Sequence, residues 1–234
     1  MTAAFAALYI ILVQVHYDLT YNRAIPDSER VYLMTLPSLG GSGLKQQSFL
    51  ARPVAEMGLA DNPYVETYGV AALDDVNKVN VIVGEGTAAK THSVNFAQMT
   101  SGALKTFGIQ AVMGSFEGIG EGGYVAISET AAERLGVAVD SVLQLESWGR
   151  TNYFVVRAIY KDLPTASDLQ NIEVIRCNQL ETQDLHSANN WSYNYFVKLR
   201  SADDRVLSED MITATYKELA GEDLKRFRGV QYND

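Results

Sequence analysis

The chain opens on an apolar run. Residues 3–15 read AAFAALYIILVQV, with Gln14 the only strongly polar side chain. A helix of these 13 residues is roughly 20 Å long at about 1.5 Å per residue, shorter than the roughly 30 Å hydrocarbon core of a bilayer. Leu8, Ile11, Leu12, Val15 and Leu19 form one helical stripe, and Ala6, Ile10, Val13 and Tyr17 form another. The apolar surface therefore runs round the helix, and only Gln14, His16 and Asp18 begin to interrupt it. Two structures fit this pattern: a helix buried in a core, or the outer end of a membrane helix that runs on into a soluble domain. The run lacks the basic flank of a secretory leader, since no Lys or Arg precedes Arg23.

Beyond Asn22 the pattern shortens and mixes. A turn at Pro26-Asp27 leads to a predicted strand over 30–36, then a loop over 37–43. Arg52-Pro53 opens a helix ending near Leu59, with Pro in the first turn where its missing N–H costs nothing. Strands are predicted over 65–72, 79–84 and 93–99, a short helix over 101–107 and a strand over 109–113. After the glycine-filled loop 114–123 come a strand over 124–127 and a helix over 128–135. Thr130 and Glu133 have capping-box spacing at its start, Ser128 is the alternative N-cap, and Gly136 is a stop. A hairpin is predicted from 142–146 and 153–160 around Trp148-Gly149-Arg150, then a strand over 172–175. Residues 180–190 read as a polar linker, 193–199 as a strand and 203–219 as a helix, with Val206, Ile212, Tyr216 and Leu219 able to face the core. The polar tail 221–234 reads as a fraying end. Helices interspersed irregularly among short strands predict an α+β fold.

Composition narrows the function. The 234 residues are 47% hydrophobic and 20% charged, an ordinary globular mixture that excludes disorder and coiled coil. Nineteen basic against 28 acidic side chains give a net charge of −9, which repels phosphate backbones, so no nucleic-acid partner is expected. A single cysteine, Cys177, excludes an internal disulfide and reads as a small buried hydrophobe. His16, His92 and His186 are too scattered for a zinc centre.

Each motif that could carry chemistry fails on context. Residues 118–123 (GIGEGG) spell G-x-G-x-x-G, but they run into a strand rather than a helix, and Glu121 would sit where a pyrophosphate must go. Residues 84–91 (GEGTAAKT) approach a phosphate-binding loop, but Ala89 replaces the second glycine and strand-like residues follow, so a hairpin turn is expected. Gly40-Gly41-Ser42-Gly43 and Gly114-Ser115 lack a nucleophile elbow. The adjacent acids Asp74/Asp75 and Asp203/Asp204 point apart on regular structure, and Asn190-Trp191-Ser192 is a glycosylation sequon of a kind common by chance. No catalytic, cofactor-binding or metal-binding residue is assigned.

Two blocks carry a resemblance. Residues 18–34 (DLTYNRAIPDSERVYLM) resemble the segment just outside the first membrane helix of MacB-like and FtsX-like ABC transporter permeases of the Bacteroidetes type. Asp18, Tyr21, Pro26, Arg30 and Tyr32 stand at matching places, while Asn22, Ala24 and Leu33 replace the usual Asp, Phe and Arg. Further on, Phe107-Gly108-Ile109, the 124–129 step YVAISE, Phe154 to Ile159, Asp162-Leu163-Pro164 and the aromatic run 191–199 are similar to that family's segments and occur in its order.

The resemblance implies that residues 1–16 end the first transmembrane helix. It implies a porter-like lobe of α/β units from residues 17–104 and 186–234, with a β-rich, sabre-like lobe, 105–185, inserted between them. It further implies a periplasmic, non-catalytic permease domain, anchored in the bacterial inner membrane by flanking helices, that transmits ATP-driven helix motion in export, efflux or lipoprotein release. The implied partners are an ABC ATPase subunit, a second permease copy or paralogue and a periplasmic adaptor. A free-standing periplasmic binding or adaptor protein, and a nucleotide-binding enzyme built on Gly84 to Thr91, are the alternatives.

Overall fold

The computed structural model describes residues 2–37, 46–84, 89–147, 150–187, 190–220 and 228–231. Helix α1 (Thr2–Thr20) is followed by a 3-10 turn, Ser28–Arg30, and strand β1 (Val31–Pro37). Strands β2 (Gln46–Gln47) and β3 (Phe49–Ala51) lead into α2 (Arg52–Leu59), which carries Pro53 in its first turn as expected, and then β4 (Val65–Val70). Strands β5 (Asn77–Val83) and β6 (Lys90–Gln98) form an antiparallel hairpin. Helix α3 (Ser101–Thr106) is capped by the Thr100 hydroxyl, which accepts from the Ala103 N–H. The chain continues through β7 (Ala111–Gly114), β8 (Tyr124–Ser128), α4 (Glu129–Leu135), β9 (Val142–Ser147) and β10 (Arg150–Tyr160). It ends with β11 (Val174–Arg176), α5 (Asn178–Thr182), β12 (Trp191–Leu199), α6 (Arg205–Ala220) and β13 (Arg228–Gln231).

The strands divide into two sheets. The first is built on β12, which pairs antiparallel with β1, β3 and β4 and whose residues 193–199 are all buried. Its core gathers Leu50, Leu59, Val70, Tyr195, Val197 and Ile212. Helix α3 lies so close on β4 that the two backbones touch at Gly69 and Gly102.

The second sheet closes on itself. Going round, β5 pairs with β6, β6 with β11, β11 with β8, β8 with β10, β10 with β9, and β9 again with β5. Alternate residues of these strands, such as Val81, Val94, Val125, Leu145, Phe154 and Val174, are buried in one cluster. That period of two is what a barrel interior requires. Helix α4 adds Ala131, Ala132 and Leu135 to the same cluster, and β7 hangs on β10 outside the ring. A third cluster, including Ile25, Phe107, Tyr160, Leu169 and Phe196, joins ring and first sheet.

The content is α+β, as the pattern predicts. Several local expectations change. The tail does not fray throughout: β13 pairs with β1 from Tyr32↔Gln231 to Thr35↔Arg228, giving the outer edge of β1 its hydrogen-bond partners. Helix α6 buries Ile212 but leaves Val206 exposed, because Asn62 bonds the Ser208 carbonyl and hydroxyl and so rolls Ser208 inward instead. The side chains of Tyr216 and Leu219 lie outside the described residues. At α4 the cap is Ser128, whose hydroxyl accepts from the Ala131 N–H; Thr130 is drawn off by Asp162, which takes both its N–H and its hydroxyl. Gly136 ends that helix at φ 66°, a left-handed turn that suits glycine. The first residues of the predicted linker, 180–182, belong to α5. Strands of residues 77–98 hydrogen-bond into the ring rather than into the first sheet. The loop residues 38–45 and the hairpin tip Trp148-Gly149 lie outside the described residues.

Candidate functional site

Three features stand out: the surface of α1, the point where it joins the fold, and the places where the chain crosses between sheets. Among the described residues, helix α1 leaves most of its large apolar side chains exposed. Phe5 and Tyr9 are 69% exposed, and Leu8, Ile10, Ile11, Leu12, Val13, Val15 and Leu19 are all at least 47% exposed. The buried-core-helix alternative is therefore wrong. A contiguous apolar surface of this kind marks an interaction face. No helix among the described residues is long and apolar enough to cross a membrane.

The join is a clamp. Asn22 takes a left-handed backbone at φ 60°, a conformation that Asn tolerates well among non-glycine residues, and is 3% exposed. Its N–H donates to the Ala166 carbonyl at 2.8 Å and its side-chain amide to Asp168 Oδ2 at 3.2 Å. In return the Asp168 N–H donates to Asn22 Oδ1 at 3.0 Å. The Tyr21 hydroxyl donates to Asp168 Oδ1 at 2.8 Å, and the neighbouring Ile25 is buried beside Leu169 and Ile172. The end of α1 is thus bolted to the segment that links β10 to β11, two strands of the ring. The resemblance block that holds Tyr21 here meets the stretch just after Pro164.

An ionic collar braces the first sheet beside the clamp. Arg30 reaches Glu66 at 2.6 Å and Asp27 at 2.8 Å, and the buried Lys198 reaches Asp27 at 2.7 Å. The hydrogen bond from Lys198, seconded by Arg30, holds the Asp27 carboxyl below its ordinary range.

Below the collar, Arg52 is the hub of a buried network. Its guanidinium meets Glu56 Oε1 at 2.9 Å, the Tyr195 hydroxyl at 3.2 Å and the Gln183 carbonyl at 3.1 Å, and it bonds the Leu180 carbonyl as well. Glu56 also accepts from the Tyr68 and Tyr195 hydroxyls. The network ties α2 to the return crossing after α5.

Tyr21 and Tyr68 in these networks, with Tyr193, whose hydroxyl donates to Asp184 at 2.6 Å, give the fold an alkaline limit. Burial first, and a carboxylate neighbour second, push Tyr21, Tyr68 and Tyr193 up to about 12. An unfolded tyrosine ionises near 10. A folded-state value raised above the unfolded one means stability is fully present below pH 10 and is lost as pH climbs toward 12. The urea midpoint, followed by circular dichroism, should stay level from pH 7 to about 9.5 and fall steeply between about 10 and 12. Tyr193→Phe should flatten part of that fall; a midpoint that declines equally in parent and variant would refute the assignment for this residue.

The discarded motifs sit where their context implies. Within 84–91, residues 85–88 lie outside the described ones; on either side of them Val83 stands opposite Lys90 across the β5–β6 ladder. Residues 118–123 form turns and lead into β8, a strand. Cys177 is fully buried, and burial pushes its thiol pKa up. The sequon's Asn190 donates to Asp184 and to the Tyr193 hydroxyl. The clamp escapes sequence reading because its partners are more than 120 residues apart, and so do the Arg52 hub's bonds to Leu180, Gln183 and Tyr195; only Glu56 is local to Arg52.

Solved structures share this architecture. A domain assigned to a permease protein of Porphyromonas gingivalis superposes with a TM-score of 0.68 at 16% identity, covering 89% of this chain and 93% of that one. The periplasmic region of MacB from Actinobacillus actinomycetemcomitans gives 0.57 at 13% identity, covering 90% and 92%. The fold is that of a MacB-type periplasmic domain. The extracellular domain of the noncanonical ABC-type transporter YknZ from Gram-positive bacteria also shares it, at 0.53 and 14% identity, covering 86% and 98%. No family model and no curated protein matches the sequence. The MacB-type likeness is therefore one of backbone architecture. It spans both sheets, since each comparison covers at least 86% of the chain.

Proposed function

We propose that this chain is the extracytoplasmic domain of an ABC transporter permease, a mechanical coupler without chemistry of its own. The observation that carries the reading is α1: an apolar helix whose described large side chains are mostly exposed, clamped through Asn22 and Tyr21 to Asp168. A bilayer would cover that surface, whereas a free-standing adaptor would leave it in water. Residues 1–16 are the outer end of a membrane helix in this reading. The first sheet and its helices form the porter-like lobe, using both ends of the chain. The inserted lobe is 105–185 together with the ring strands from residue 77.

ATP-driven closure in a partner ATPase shifts the membrane helices, and α1 carries the displacement outward. The clamp passes it to the β10–β11 link and so to the ring, which acts on an exported substrate or on a periplasmic adaptor. A second permease copy or paralogue completes the pair of membrane units, and the inner membrane is the setting.

The test is a substitution that loosens the clamp while leaving the core intact. Asn22→Ala with Asp168→Ala in the whole transporter should lower transport by about tenfold while ATP hydrolysis and surface expression hold, because several hydrogen bonds that transmit the displacement are gone. Transport at the parent rate would overturn the coupling role.

A further inference from the structure

The chain passes from the first sheet to the ring at Ala71-Ala72 and back to α3 at Met99-Thr100. It goes out again through residues 107–110 into β7 and returns to α5 at Cys177. Three of these passages lie side by side. Ala71 and Met99 form an antiparallel bridge, and the Met99 N–H donates to the Arg176 carbonyl at 3.2 Å. The Ala72 N–H donates to the Gln98 carbonyl at 2.9 Å, and the Thr100 N–H to the Val70 carbonyl at 2.8 Å. On the other flank the Ala71 N–H reaches the Asn194 carbonyl of β12 at 3.2 Å. A single connecting strand swivels on two backbone torsions per residue, whereas laddered strands must bend together.

A ribbon of this kind still flexes out of its plane unless something backs it, and here a face contact does. The ring strands turn one set of side chains into the ring. The other set includes Ala97 on β6, Ile175 on β11, Ala126 on β8 and Ala158 on β10, all fully buried. They pack in one cluster with Ile25, Val31, Phe107 and Phe196 of the first sheet and its flanking segments. Three of the four ring positions are alanine, so little side chain stands between the two layers. The Asn22–Asp168 clamp ties the layers again, as does the Lys161 N–H, which donates to the Gln110 carbonyl at 3.2 Å. Tilting the ring against the first sheet would open this apolar cluster to water and break bonds at separate places at once.

We propose that ring and first sheet form one rigid body, so that the domain is a one-piece lever rather than two lobes on a hinge. The inference rests on bonds and packing inside the chain and stands whether or not the chain serves a transporter. Within the coupling reading, a tilt imposed at α1 reaches the ends of β5, β6, β9 and β10 remote from the crossings without loss at a joint.

Cys177, the chain's single thiol, is a built-in probe, buried in the joining cluster at one of the crossings. The full chain in a nonionic detergent is treated with iodoacetamide across a urea series, and modification of Cys177 is followed by mass spectrometry. In a rigid body the thiol is reached only when the whole fold opens. Its modification without urea should therefore be at least ~1,000-fold slower than in the urea-unfolded chain, with a urea dependence that matches global unfolding by circular dichroism. Spin labels at Tyr153→Cys on β10 and Val206→Cys on α6, both exposed positions, give a second measurement in a Cys177→Ala background. Their separation should be a single peak no wider than the labels' own spread. Modification of Cys177 through an opening with a much shallower urea slope, or two separations between the labels, would overturn the proposal and place a hinge at the crossings. Neither readout involves transport, so this result and the clamp test are independent.

Discussion

Replacing Arg52 with Met should destabilise the domain by about 3–5 kcal/mol, the range found when one partner of a buried ion pair is removed. The Arg52 side chain is only 4% exposed. Its loss leaves Glu56 without its cation, and the carbonyls of Leu180 and Gln183 without a donor. It also removes a guanidinium seated over the Tyr193 ring, 5.9 Å from its centroid. Urea unfolding at pH 7 measures the cost. Adding Glu56→Gln to the variant should cost less than the two single changes summed, because the carboxylate that Arg52→Met strands is then neutral. Arg52→Lys should recover only part of the loss, since an ammonium cannot serve several acceptors in the fork of a guanidinium. A change below about 1 kcal/mol for Arg52→Met would show that the hub is an exposed pair in solution.

Gly69→Ala is the second large effect. A Cβ on Gly69 would stand 2.1 Å from the Ala103 nitrogen and 2.6 Å from the Gly102 carbonyl carbon; one on Gly102 would stand 2.1 Å from the Tyr68 oxygen. Both obstacles are backbone, so no side chain can swing aside. Helix α3 must lift off β4, which would break the Thr100 hydroxyl's bond from the Val70 N–H. The expected loss is about 3 kcal/mol, the upper end for overpacking. Gly122→Ala is the control: its nearest neighbour is 3.9 Å away, and its melting temperature should stay within about 2 °C of the parent. Equal melting for Gly69→Ala and the control would refute the close approach of α3 to β4.

What could be read from the sequence was local. The apolar run of α1, the Pro53 start of α2 and the aromatic run of β12 each announce an element through nearest neighbours. Pairings at long range left little trace. Ring closure depends on β5 meeting β9, where Asn80 faces Glu146, and nothing within either strand specifies the other. The cap of α4 shows how distance overrides a local signal: Thr130 has capping-box spacing, but Asp162 claims it, and Ser128 caps instead. The clamp left one faint mark. Asn22, where the resembling family has Asp, is a residue type at home in the left-handed region, and that is the conformation it holds.

The closed ring has one more consequence. An open sheet unravels from its outermost strand, where each backbone group has a partner on one side only. Here β5, β6, β11, β8, β10 and β9 follow one another without a first or a last. A load reaching the hoop at any point is shared in both directions around its circumference, so the lobe turns or tilts as a whole before it frays.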